Sequence, residues 1–221
     1  MFHYGGSPRL GRVRLEFQKK TIRASEQDRE DVKQAREKWI ESQPSLDIEK
    51  LVFLDESGAK TNMTRLRGRA KDGQRCYDHA PCGRWSTTTM ISSVRLDGST
   101  AAMVIEGATT GDVFEAYVRE VLCPTLRPGD IVVMDNLSSH KRATLEMLIE
   151  QAGASVRFLP PYSPDLNPIE MMWSKVKSFL RTAKARTQTT LLDAIAAALK
   201  TVTANDAKGW FTECGYPSSH S

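Results

Sequence analysis

Asp55, Asp135 and Glu170 are the residues whose type and spacing point to chemistry. Asp55 closes the apolar run Leu51-Val52-Phe53-Leu54, and Asp135 closes a second, Ile131-Val132-Val133-Met134. Glu170 ends the stretch Pro160-Pro161-Tyr162-Ser163-Pro164-Asp165-Leu166-Asn167-Pro168-Ile169, with 34 residues (136–169) between it and Asp135. Carboxylates at the exits of buried strands collect where the backbone stops and a cleft can open. Three that converge require a cation, and hard divalent ions prefer oxygen ligands. The pattern reads as a magnesium site for phosphoryl transfer.

Each acid also has a plainer reading. Aspartate is common in turns after strands. Asn167 can cap a helix with Pro168 at its first position, which makes Glu170 the partner of a near capping box. The combination and its spacing favour the chemical reading. The helix from Pro168 to about Lys184 adds support. Ile169, Met172, Trp173, Val176, Phe179 and Leu180 fall on one face and should pack on a sheet. Glu170, Ser174, Lys177, Arg181 and Lys184 share the opposite stripe. A phosphate backbone passing the metal would meet Lys177, Arg181 and Lys184. A second basic element, Arg65-Leu66-Arg67-Gly68-Arg69-Ala70-Lys71, places Arg65, Arg67 and Arg69 on one side when extended. It follows Asp55 closely, so DNA contact and a solvated loop are both open to it. His140, five residues beyond Asp135, could reach a phosphate or the nucleophile, but the reading preferred is a helix-start residue without a catalytic role.

These residues need elements to hold them. Residues 1–24 read as a loose arm. Ser25-Glu26-Gln27-Asp28 resembles a helix start, and a charged helix should run to about Ser42 before Pro44. That helix is mostly polar and is expected to link or lie on the surface. Leu51–Asp55 and Ile131–Asp135 read as buried strands, and Thr87–Leu96 with Thr100–Ile105 as a hairpin around Asp97-Gly98. Val113–Leu122 and His140–Gln151 read as helices, the second closed by Gly153; Ser155–Leu159 reads as a short strand. Leu191–Val202 and Asp206–Cys214 read as closing helices. The order implies an α/β fold, a mixed central sheet flanked by helices. Residues 1–48 form an arm and linker helix, and residues 49–221 the catalytic domain; a core of 49–215 is expected to fold without the arm.

Composition bounds the rest. A chain of 221 residues, 40% hydrophobic, suits one ordinary domain with an appendage. No apolar run is long enough to span a bilayer and the N-terminus lacks a signal-peptide pattern, so a cytoplasmic protein with no membrane partner is expected. Net charge is +4, mildly basic. Cys76, Cys82, Cys123 and Cys214 do not suggest a disulfide framework. Cys76, His79 and Cys82 have zinc-like spacing but no nearby fourth ligand, so they are read as loop residues.

Three segments together resemble the mariner-like DDE transposases, and most closely their bacterial branch, the insertion sequence 630 family. They are Leu54-Asp55-Glu56-Ser57-Gly58, Met134-Asp135-Asn136 followed by His140-Lys141, and Pro160 through Glu170. The resemblance covers about residues 20–215. Gly83-Arg84-Trp85-Ser86-Thr87-Thr88-Thr89 also resembles a family segment, with Arg84 where histidine is expected. The resemblance implies an RNase H-like fold, with Asp55, Asp135 and Glu170 as a catalytic triad binding two Mg2+ ions, for which Mn2+ can substitute. It implies cleavage of DNA at terminal inverted repeats and joining to a TA target, by a homo-oligomer assembled on the DNA.

One departure stands out. Members of that group carry helix-turn-helix modules ahead of the catalytic domain, and residues 1–48 offer one convincing helix. This suggests a catalytic half whose helix-turn-helix partner is the product of an upstream reading frame, is joined by frameshifting, or is lost altogether. Two other functions fit the same residues: an RNase H-like nuclease without strand joining, and a non-catalytic DNA-binding remnant.

Overall fold

The computed structural model describes residues 24–65, 67–71, 74–83, 87–135 and 139–216, without the side chains of residues 139–142. The N-terminal arm, Arg84-Trp85-Ser86, Asn136 and the His140 side chain lie outside the described residues.

Five strands form one mixed sheet in the order β3-β2-β1-β4-β5. β1 (Leu51–Lys60) pairs antiparallel with β2 (Thr87–Arg95), and β2 with β3 (Thr100–Glu106). On its other side β1 pairs in parallel with β4 (Ile131–Met134), which pairs in parallel with β5 (Ser155–Phe158). The hairpin turns at Asp97-Gly98 as the sequence implies. Gly98 has φ +79, and a Cβ there would meet the Thr203 backbone at 2.6 Å, so both its conformation and its space require glycine.

Alternation along β1 divides the core. Leu51 and Phe53 join one cluster, and Val52 and Leu54 the other. The second face is covered by α2 (Gly111–Tyr117, continued by a wider turn to Leu122) and α3 (Ser139–Gln151). The first face is covered by α4 (Pro168–Ala183), α5 (Gln188–Leu199) and α6 (Ala204–Glu213). Thr187 and Thr203 start α5 and α6 with reciprocal capping boxes. The result is a sheet between two helical layers.

The first helix departs from expectation. Ser25–Asp28 is a short 3-10 turn in which Ser25 caps nothing, and α1 runs from Glu30 to Ser42. Although mostly polar, α1 buries Val32 and Trp39, and Trp39 belongs to the α4-side core. Its indole N–H donates to the Tyr216 hydroxyl at 3.0 Å.

Candidate active site

Asp55 does not end its strand. β1 continues to Lys60 because β2 keeps pairing with it, from Asp55 opposite Ser92 to Lys60 opposite Thr87. The parallel partner is shorter: β4 pairs with Leu51–Phe53, in the register Phe53 opposite Val133. Beyond Met134 that side of β1 is therefore uncovered. The register places Asp55 and Asp135 at equivalent positions, each two residues beyond that last pair.

Glu170 arrives from the other direction. The proline-rich segment turns back and enters α4 at Pro168. Asn167 makes no side-chain cap, so the capping box does not form. The Glu170 backbone N–H bonds the Asn167 carbonyl at 3.1 Å, and its side chain is exposed. Ile169, Met172, Trp173, Val176 and Leu180 are buried against the sheet as their spacing predicts, whereas Phe179 stays 36% exposed at the rim.

Asp55, Asp135 and Glu170 line one cleft of about 370 Å³, walled by Pro160, Pro161, Tyr162 and Pro164, with Ser163 and Asn167 as further polar groups. A larger groove of about 690 Å³ lies beside α4 and α6, but its lining of Met171, Phe179, Trp210 and neighbours holds no group of acids. Among the described residues no three Asp, Glu, His or Cys side chains crowd together tightly enough to enclose one ion. The three carboxylates share a cleft rather than one compact cluster.

The electrostatics identify Asp55 as the centre of that arrangement. Burial, with added repulsion from Glu170 and Asp135, pushes its carboxyl up to about 7 against the opposing bonds of the Glu56 N–H and the Trp173 indole. Asp135 is exposed as a residue, yet it loses enough hydration in the cleft to be raised as well. Glu56, on the opposite face of β1, is raised by burial and by Asp135, while Thr109 opposes the shift. Hard oxygen donors whose own repulsion resists ionisation fit a divalent cation, which would relieve both the repulsion and the lost hydration.

Trp173 and Asn167 were not singled out by sequence for this site. Both are buried, and the Trp173 Nε1 and Asn167 Oδ1 atoms have no regular hydrogen-bond partner. Phe53 and Trp173 share the α4-side cluster, and Asp55 follows Phe53 on that face of β1. Trp173 therefore lies beside Asp55, close enough to hold its carboxyl down without a well-formed bond. Three-residue spacing from Glu170 was the only signal available for either residue.

The basic residues group differently from the expected stripe. Lys177 and Arg181 are half-buried on α4. Lys184 lies past the helix in a left-handed conformation (φ 50), and its Nζ is 2.6 Å from Asp78. It therefore leaves the stripe and ties down the segment between β1 and β2. Arg65 reaches Thr182 Oγ1 at 3.3 Å, and Arg65 and Arg67 share a hollow with Asp78 and Lys184. Arg69 is exposed. Cys76 and Cys82 are exposed free thiols, and no metal cluster forms around them among the described residues.

A family model described as DDE superfamily endonuclease matches residues 50–192, which include all three acids. No curated protein matches the chain. Among solved structures, the chain is similar to the Mos1 transposase paired-end complex with left transposon end, with TM-score 0.68 and 13% identity, covering 93% of this chain and 64% of that one. It is similar to the Mos1 mariner paired-end complex with Mn, with TM-score 0.66 and 14% identity over 93% and 64%. For the Mos1 catalytic domain with raltegravir and Mg, the values are 0.59 and 13% over 88% and 92%. At such identities the likeness is one of fold, and that fold is RNase H-like. The chain spans 64% of the length of the longer Mos1 chains. Among the described residues no helix is long and apolar enough to cross a membrane. The family match covers more than half of the sequence and spans the whole acidic cleft: the chain belongs to the DDE superfamily of endonucleases.

Proposed function

We propose that this chain is the catalytic domain of a DNA transposase of the insertion sequence 630 type, with Asp55, Asp135 and Glu170 as its catalytic carboxylates. One observation carries the reading. Carboxylates from β1, the exit of β4 and the head of α4, far apart in sequence, line a single cleft. Asp55 feels both of the others, and the three together are the residues that would hold the divalent ions. Bound there, two Mg2+ or Mn2+ ions would supply an activated oxygen nucleophile and charge stabilisation for the departing oxygen.

The residues' own tasks follow from that. The proline walls limit how a strand can enter, and the three carboxylates would hold the cations against which its scissile phosphate rests. Lys177 and Arg181, on the helix that carries Glu170, hold the flanking backbone, with Arg65, Arg67 and Arg69 contributing from the segment after β1. Lys184 adds less, because Asp78 already neutralises it. In the first step water attacks the phosphorus at a transposon end and the 3′-oxygen leaves as a hydroxyl. In the second, that 3′-hydroxyl attacks a target phosphodiester, by the family's habit at TA, and the target 3′-oxygen departs. No covalent bond to the protein is needed. End recognition would come from a helix-turn-helix partner, and the working form would be a homo-oligomer on DNA.

The test is Mg2+-dependent cleavage and strand transfer on a duplex carrying the element's ends, comparing the wild type with Asp135→Asn. The variant should fold normally and lose both activities. Undiminished cleavage would place the nuclease centre elsewhere. Cleavage without joined product would favour a plain nuclease.

A further inference from the structure

No α1 side chain lines the cleft, yet several contacts from α1 and the turn before it reach one short segment beside it. Arg36 donates from Nη1 to Ser163 Oγ at 2.8 Å and grips both Asp165 oxygens, at 2.9 and 2.7 Å. Trp39 donates to the Tyr216 hydroxyl at 3.0 Å, which donates onward to the Leu166 carbonyl at 2.9 Å. Gln27, just ahead of the helix, donates to the Tyr162 carbonyl. Residues 162–164 line the cleft, and Asp165 and Leu166 carry the same segment on to Asn167 and Glu170.

That wall makes few hydrogen bonds of its own, although Leu159 and Leu166 anchor its ends in the core. Pro160, Pro161, Pro164 and Pro168 have no N–H to donate. The segment's own backbone bonds are few: Leu159 to the Met134 carbonyl, Leu166 to Ser163 and Asn167 to Pro164. Tyr162 has φ 56, a conformation a non-glycine residue keeps only where its surroundings hold it. The position of the wall is therefore set from outside. Arg36 suits that task, because a planar guanidinium holding a carboxylate with two parallel bonds fixes orientation as well as distance. The Arg36 side chain is 17% exposed and Ser163 is buried, so the bond to Ser163 is sheltered, while the Asp165 side chain, 55% exposed, meets solvent.

We infer that Arg36 is a positioning residue for the catalytic cleft: by gripping Ser163 and Asp165 it fixes the loop that delivers Glu170. The inference rests on Glu170 being a working metal-holding carboxylate. It makes α1 part of the active machinery, although the polar helix looks in sequence like a tether.

The test uses the full 221-residue chain, Mn2+ alone as a binding probe followed by electron paramagnetic resonance, and nicking of supercoiled plasmid in Mg2+. Arg36→Lys keeps the charge but loses the planar fork whose two nitrogens bond both Asp165 oxygens in parallel. It should weaken Mn2+ binding about 10-fold or more, as loss of a group that orients a ligand does. Nicking at saturating plasmid should slow by a similar factor, with half-saturation unchanged and the melting temperature within a few degrees of wild type. The exchanged pair Arg36→Asp with Asp165→Arg should recover a measurable part of both losses. Wild-type Mn2+ binding and nicking in Arg36→Lys, beside an inactive Glu170→Gln, would overturn the brace alone. So would losses that track a collapse in melting temperature and are not recovered by the exchange. A Glu170→Gln variant that nicks like wild type would instead strike at the metal reading itself.

Discussion

Replacing Asp55 by asparagine should stabilise this protein when divalent ions are chelated, and increasingly so as pH rises. The Asp55 carboxyl titrates near 7 in the folded chain against an ordinary value of 3.8, so the folded state holds its proton where the unfolded chain has released it. Below about pH 3.8 both states are protonated and the group has no effect on stability. Between about 4 and 7 the folded state is increasingly disfavoured, and above 7 the penalty is complete. Three pH units at ~1.36 kcal/mol each give a ceiling of about 4 kcal/mol at pH 8 and about 1.6 kcal/mol at pH 5. Asparagine has no charge to desolvate and still offers Trp173 an acceptor. In a domain of this size ~1 kcal/mol moves the melting temperature roughly 2–4 °C, so Asp55→Asn should melt roughly 8–16 °C higher than wild type at pH 8 in EDTA. The gain should shrink to less than half at pH 5. Saturating Mg2+ should raise the wild type at pH 8 and leave the variant unmoved. Thermal unfolding at the two pH values, with and without Mg2+, reads all of this. A variant no more stable than wild type at pH 8, or one whose advantage is independent of pH, would refute the reasoning.

Two further outcomes are expected. Replacing Lys177 and Arg181 together by glutamine should weaken binding to every duplex about equally and flatten the plot of log affinity against log salt by up to about 0.9 per lost phosphate contact; an unchanged slope would make them solvated surface charges. Trp173→Phe keeps an aromatic ring beside Asp55 but removes the indole N–H, and should weaken Mn2+ binding roughly 10-fold beyond any effect on melting temperature; equal Mn2+ titrations would show that Trp173 only packs.

Much of the layout was readable in sequence because burial writes itself as apolar runs. Leu51–Leu54 and Val132–Met134 are buried on both faces, and each run is followed by its carboxylate. The α4 face was readable for the same reason. The end of β1 was not, since Asp55-Glu56-Ser57-Gly58-Ala59-Lys60 has neither an apolar run nor alternation; β2 holds it in the sheet by backbone pairing. Lys184 was assigned to a helical stripe, but the chain turns left-handed there and Asp78 claims its charge. The docking of α1 was the largest omission. It depends on Trp39 meeting Tyr216, 177 positions away, and on Arg36 meeting Asp165, 129 positions away, pairings that no local pattern encodes.

The central claim is that Asp55, Asp135 and Glu170 jointly hold divalent ions. Crystals of the protein grown with Mn2+ and measured at the manganese absorption edge test it most directly. The account predicts anomalous peaks in the cleft within coordination distance of these three carboxylates, a pair about 3.5–4 Å apart once DNA is bound, and lost in Asp55→Asn. Manganese bound elsewhere, with the cleft empty at saturating ion and any of the three carboxylates turned away, would contradict it.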